Sequence, residues 1–188
     1  MKTGDRVGPL VPFRILITSV WSAGRGLLGW LAGPAEPTPI NLEPGDLAPD
    51  FELPASDGRV YRLSEFKGRE AVVVAWFPKA FTSGCAAECR SLEASGDLIR
   101  SLRARHFGAN MDRPETNREF ADALGLGYPI LSDVDGRVAR AYGVLRMGVY
   151  PSRWTFFIGE DGRIKAIDRN VRVLSHGRDV VTRLGELT

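Results

Sequence analysis

The chain of 188 residues has only two cysteines, Cys85 and Cys89, and two histidines, His106 and His176. Two thiols with no second pair nearby rarely complete four ligands, so a zinc site is not expected. The cysteines are not spaced C-x-x-C, which removes the usual dithiol oxidoreductase motif. No phosphate loop, dinucleotide fingerprint or internal repeat is present, so no cofactor is expected and electrons for redox chemistry must come from an external dithiol. Excess charge is also lacking. The formal net charge is +2, and residues 34–188 alone carry 21 basic against 22 acidic side chains. Nucleic-acid surfaces need clustered Lys and Arg, so a nucleic-acid partner is not expected.

The positive charge sits in residues 1–33, where Lys2, Arg6, Arg14 and Arg25 face Asp5 alone. This extension is also apolar, with Phe13, Ile17, Val20, Trp21, Leu28 and Leu31 largely opposite Arg14, Thr18, Ser22 and Arg25 at helical spacing. Its longest uncharged stretch between the arginines, Ile15 to Gly24, is too short to cross a bilayer. The pattern favours a helix lying on a membrane surface, with residues 10–32 as the contact. A signal or anchor segment and an unstructured tail are the rival readings. Two thiols in a chain this long do not separate cytoplasm from periplasm; a cytoplasmic or membrane-associated place is favoured, and an exported form stays open. Residues 34–41 read as a proline-rich linker and residues 42–188 as one domain.

Within that domain, Phe51 and Leu53 alternate with polar residues, Ser56-Asp57-Gly58 reads as a turn, and Val60 to Leu63 returns as a second strand. Ser64 begins a short helical turn ended by Gly68. Ala71 to Phe77, with three consecutive valines and no charge, reads as a strand buried on both faces. A helix is predicted over 86–102, a weak strand at Phe107 to Met111, and a helix over Pro114 to Leu124 closed by Gly125 or Gly127. Tyr128 to Leu131 reads as a strand, Ser132-Asp133 as a cap and Val138 to Tyr142 as a short helix. Trp154 to Ile158 and Arg163 to Ile167 form a hairpin around Gly159-Glu160-Asp161-Gly162, and Ser175 caps a last helix bearing Val180, Val181 and Leu184. The order implies an α/β domain, a mixed sheet with helices on both faces.

Chemistry is expected where Pro78 ends the buried strand and Cys85 falls in the first turn of the next helix, with Thr82 or Ser83 as N-cap. Free N–H groups and the helix dipole there favour thiolate over thiol. The carboxyl end of a central strand is also where open α/β sheets place their sites. Cys89 lies four residues on, on the same helical face, with ~5–6 Å between Cβ atoms against ~3.8 Å in a disulfide. Glu88 is expected to stay partly solvated, tuning the site or facing water. Trp76 and Trp154 read as core or pocket wall.

The stretch Pro78-Lys79-Ala80-Phe81-Thr82-Ser83-Gly84-Cys85 resembles the signature P-x-x-x-T-x-x-C of the peroxiredoxin family, in the AhpC/TSA superfamily. It is similar to the subgroup of bacterioferritin-comigratory protein, or peroxiredoxin Q. Gly45 to Phe51, Gly125 to Asp133 and Arg153 to Ile158 add to the likeness, which covers roughly residues 42–188. The resemblance implies a thioredoxin-like fold and reduction of hydrogen peroxide and organic hydroperoxides through a cysteine sulfenic acid. It implies Cys85 as the peroxidatic nucleophile, Thr82 orienting peroxide, Pro78 shielding the site and Arg153 as the active-site arginine. It also implies a thioredoxin-like dithiol as reductant. Cys89 departs from the subgroup's usual spacing of five, yet it is the candidate for an intramolecular disulfide with Cys85; closure requires the first helical turn to unwind. The other reading of Cys89 is a core residue that resolves nothing. Ala86 replaces the family's frequent Thr or Ser. A Sco-like copper-binding or redox-sensing protein, which shares the fold and C-x-x-x-C, is the alternative; Arg153 stands where that family supplies a histidine.

Overall fold

A computed structural model of the protein describes residues 41–187. The extension and all of the linker before Asn41 lie outside the described residues. Among those described, no helix is long and apolar enough to cross a membrane.

The central strand β3 (Ala71–Trp76) joins a five-stranded sheet in the order β5-β4-β3-β8-β9. It runs parallel to β4 (Ala104–Asn110), which runs parallel to β5 (Ile130–Ser132). On its other side it runs antiparallel to β8 (Thr155–Ile158), which pairs antiparallel with β9 (Ile164–Asp168). Because side chains alternate across a strand, β3 feeds two cores. Val72, Val74 and Trp76 join Phe51, Leu53, Phe107, Tyr142 and Phe156 on one face. Val73, Ala75 and Phe77 meet Cys85, Cys89, Leu92, Phe120, Val180 and Leu184 on the other. The sheet is therefore covered on both sides, as expected.

The first face is closed by a small hairpin of β1 (Glu52–Pro54) and β2 (Val60–Arg62) and by helix α4 (Arg137–Ala141). The second is closed by α1 (Ser83–Glu93), α2 (Gly96–Ser101), α3 (Pro114–Leu124) and α5 (His176–Leu187). Helix α3 has its expected bounds, with Pro114 in its first turn and Gly125 in the left-handed conformation at its end (φ +65°). The N-cap of α4 is Gly136 and not the expected Ser132-Asp133, although the Asp133 carboxylate accepts from the Ala139 N–H at 2.6 Å.

Two expectations need correction. The single helix over 86–102 is two, α1 starting at Ser83 and α2 at Gly96. The break falls at Ala94-Ser95, with the weak helix formers Ser95 and Gly96 where α5 presses against α1 and Gly96 lies against the His106 ring. A third hairpin, β6 (Leu145–Arg146) and β7 (Tyr150–Pro151), occupies a stretch that shows no strand pattern. Its turn places Met147 and Gly148 at positive φ (49° and 70°), a type I′ geometry without the usual Asn-Gly signal.

The α1–α5 contact governs the site described next. A Cβ on Gly177 would overlap the carbonyl oxygen of Ser91, and the Gly177 N–H donates to Ser91 Oγ at 3.1 Å. Gly177→Ala is expected to lose about 1–3 kcal/mol of stability by overpacking, read as a lowered midpoint in urea unfolding; an unchanged midpoint would show that the helices separate freely.

Candidate active site

Residue Cys85 reaches its place by the strand-to-helix turn expected from Pro78. The Ala80 N–H donates to Asp112 Oδ2 at 2.7 Å, which pins the loop. Phe81 takes φ +59° and packs edge-on against Phe120. Thr82 holds the N-cap position, but its hydroxyl donates to Lys79 O at 3.2 Å rather than capping the helix, so the cap expected of Thr82 or Ser83 is not made by a side chain. The Ala86 N–H bonds Thr82 O at 2.9 Å. The N–H groups of the residues before it in this first turn, which includes Cys85, have no intrahelical acceptor. Pro78 lines a cleft of about 330 Å³ beside this loop, with Met111, Val149 and Tyr150 on its walls.

Arg153 arrives from the far side of the sheet. The Trp76 N–H at the end of β3 donates to Trp154 O at 2.8 Å, which holds the segment before β8 against the strand that feeds α1. From there Arg153 Nη2 lies 3.3 Å from Cys85 Sγ, while its Nη1 forms an ion pair with Glu88. Cys85 is 1% exposed, so the thiol is held out of bulk water, while the Arg153 side chain facing it remains 23% exposed. A guanidinium is always charged and presents several donors in a fixed fork, so it can hold a thiolate and an adjacent oxygen together. The structure thus brings Cys85 and Arg153 together as expected and puts Thr82 and Pro78 on the loop at the site's rim.

Glu88 departs from its expected solvation: it is 1% exposed, within the buried face Cys85, Glu88, Cys89, Leu92 of α1. The signal was in the sequence, because these four residues follow the i, i+3, i+4, i+7 rule of one helical face. The carboxylate is tolerated there by its pairing with Arg153. Sequence reasoning also missed His176, which is buried with Nδ1 3.3 Å from Glu88 Oε1; no local pattern links positions so far apart in the chain.

Cys89 is 2% exposed, and burial is the main cause that pushes its thiol up to about 12. The Tyr128 hydroxyl donates to the Cys89 carbonyl oxygen at 3.2 Å. Both cysteines are free thiols, held at helical spacing on one face of α1. The copper reading is not favoured. Among the described residues no group of three or more His, Cys, Asp or Glu side chains is placed to hold a metal ion, and Arg153 puts a positive charge against Cys85.

Comparison with known proteins agrees with this geometry. The AhpC/TSA family pattern matches residues 44–167. A putative peroxiredoxin of Mycobacterium tuberculosis is 37% identical over 145 residues, covering 72% of this chain and 90% of that protein. Peroxiredoxin Bcp of Escherichia coli is 34% identical over 147 residues, covering 74% of this chain and 93% of its own. The crystal structure of peroxidoxin BcpB from Mycobacterium tuberculosis superposes with a TM-score of 0.73 at 29% identity, over 79% of this chain and 99% of that one. Sequence and thioredoxin-like fold therefore agree, and the chain belongs to the AhpC/TSA family as a peroxiredoxin, a thiol peroxidase similar to the Bcp and peroxiredoxin Q proteins.

Proposed function

We propose that the domain spanning residues 42–188, following the linker 34–41, reduces hydrogen peroxide and organic hydroperoxides with Cys85 as the attacking thiolate and Cys89 as its resolving partner. The observation that carries this reading is the guanidinium of Arg153, 3.3 Å from Cys85 Sγ at the start of α1. The thiolate attacks one peroxide oxygen; an S–O bond forms, the O–O bond breaks, and sulfur loses two electrons. The leaving oxygen carries the negative charge and takes a proton to become water or alcohol. Arg153, the first-turn N–H groups and the Thr82 hydroxyl are the donors for that developing charge, and Pro78 narrows access to the thiol.

The sulfenic acid then condenses with Cys89, forming the S–S bond and releasing water. In the folded helix the two Cβ atoms are about 5–6 Å apart, beyond disulfide reach, and the Cys89 thiol is protonated at neutral pH because it is buried. The first turns of α1 therefore open before the bond closes, exposing Cys89 and making it ionisable. A thioredoxin-like dithiol supplies the two electrons and two protons that restore both thiols.

Intact-mass spectrometry tests this. After one equivalent of hydrogen peroxide the wild type should lose two hydrogens, Cys89→Ser should gain one oxygen, and Cys85→Ser should not change. Oxygen gain in the wild type without hydrogen loss would remove Cys89 from the cycle. Tyr128→Phe probes the opening step. Losing the hydrogen bond to the Cys89 carbonyl removes about 0.5–1.5 kcal/mol from the closed helix, so condensation should be roughly 2- to 10-fold faster, seen in the time course of hydrogen loss. A slower reaction would mean that Tyr128 guides Cys89 rather than restrains it.

A further inference from the structure

Beyond Arg153, a line of buried polar groups runs from the site to the middle of the sheet. Glu88 uses Oε2 for Arg153. Its Oε1 and the Nδ1 of His176 lie 3.3 Å apart, and neither atom makes a hydrogen bond of ordinary geometry in the structure. On the opposite side of the ring, His176 Nε2 lies 2.8 Å from Thr155 Oγ1 in β8. Each of the three side chains is at most 2% exposed.

We propose that His176 is a positioning residue for peroxide reduction: oriented by Thr155, its imidazole donates to Glu88 and fixes the carboxylate that aims Arg153 at Cys85. The inference rests on Cys85 being the attacking thiol.

The tautomer follows from the neighbours. A carboxylate accepts only, so Nδ1 must carry the proton for the contact with Oε1 to be attractive. Nε2 then accepts, and the Thr155 hydroxyl is the donor. The reverse tautomer would point a lone pair at a buried anion. The charged groups around the ring are Glu88 on α1, Arg153 before β8, Asp168 on β9 and Asp179 on α5. Burial and the Arg153 charge hold the ring neutral, its pKa lowered to about 4 despite the acids. A buried ion pair is sound only when its remaining lone pairs are met, and Oε1 of Glu88 has His176 alone for that.

The fold supplies the aim. His176 opens α5, whose next residue, Gly177, lets the helix touch α1 at Ser91. Ser91 Oγ also donates to Leu174 O at 3.3 Å, which fastens the turn before α5 to α1. Without His176 the carboxylate of Glu88 is free to rotate, and a long arginine side chain takes its direction from that carboxylate.

The test uses the full chain with His176→Leu, His176→Asn and Thr155→Val, each also in a Cys89→Ser background. Leu keeps the bulk without the donor; the Asn amide places N–H groups near the position of Nδ1. Stopped-flow reaction with hydrogen peroxide should slow by about 10- to 100-fold in His176→Leu. His176→Asn should recover most of that rate, Thr155→Val should lose less than His176→Leu, and melting temperatures should not follow the rates. An unmoved rate in His176→Leu would overturn the proposal, as would rate losses that track melting temperature with no rescue by Asn. If Cys85→Ser still consumes peroxide, the assignment of the attacking thiol fails first, a result distinct from indifference to His176.

Discussion

Replacing Arg153 by methionine is expected to lower the second-order rate constant for peroxide by about 100- to 1,000-fold, the cost of losing one preorganised donor at a developing oxyanion. Two effects combine. The guanidinium 3.3 Å from Cys85 Sγ favours the thiolate before attack and the departing oxygen during it. Its other arm neutralises Glu88, which is 1% exposed, so removal strands a buried carboxylate and also destabilises the fold by about 3–5 kcal/mol. The double variant Arg153→Met with Glu88→Gln separates the two: stability should largely return and the rate should not. Arg153→Lys should fall between, since a single ammonium cannot serve sulfur and carboxylate in a fixed fork. A rate for Arg153→Met within threefold of wild type, with the fold intact, would sink the assignment of Arg153 as the charge-stabilising group.

The two halves of that site differ in how far they could be read from the sequence. Cys85 was legible because its surroundings are local. An uncharged valine-rich strand, a proline stop and a helical pattern lie within fifteen residues of one another. Helix α3 was legible for the same reason, bounded by Pro114 and Gly125. Arg153 entered through family likeness, since nothing near it in the chain says that the Trp76 N–H will bond Trp154 O and bring it to the end of β3. The α1–α2 break, the Met147-Gly148 turn and the pairing of Glu88 with His176 were not read, because each depends on contacts between distant elements or on backbone angles without a strong residue preference. Glu88 lies between these cases: it was read as partly solvated although its helical phase carried the signal of burial, and its partners required the fold.

Acid should unfold this protein earlier than its carboxylates alone would dictate. His106 is buried with its ring 4.7 Å from that of Tyr128, and neither ring nitrogen has a hydrogen-bond partner. Burial, with Arg100 and Arg105 nearby, lowers its pKa to about 4, and burial and Arg153 lower that of His176 to about 4 as well. In the unfolded chain both return to the ordinary value near 6.5. Between those values the unfolded state binds more protons than the native state, so stability is fully present above about pH 6.5 and is lost as pH falls towards 4. Each histidine contributes about 3 kcal/mol to that loss by pH 4, and near pH 5 the pair gives a slope of about 2 kcal/mol per pH unit. Urea midpoints measured from pH 7 to pH 4 should show this slope, and His106→Phe, which keeps an aromatic ring against Tyr128, should halve it. A flat profile down to pH 4.5 would mean that protonated imidazoles are accommodated in the fold. For His176 the consequence reaches the site. A proton there would place a second cation beside Arg153 and turn Glu88 towards it, so in molecules still folded near pH 4 acid should disturb the aim on Cys85. As pH approaches 4, then, the peroxide rate per folded molecule should fall more in the wild type than in His176→Asn, which has no imidazole to protonate.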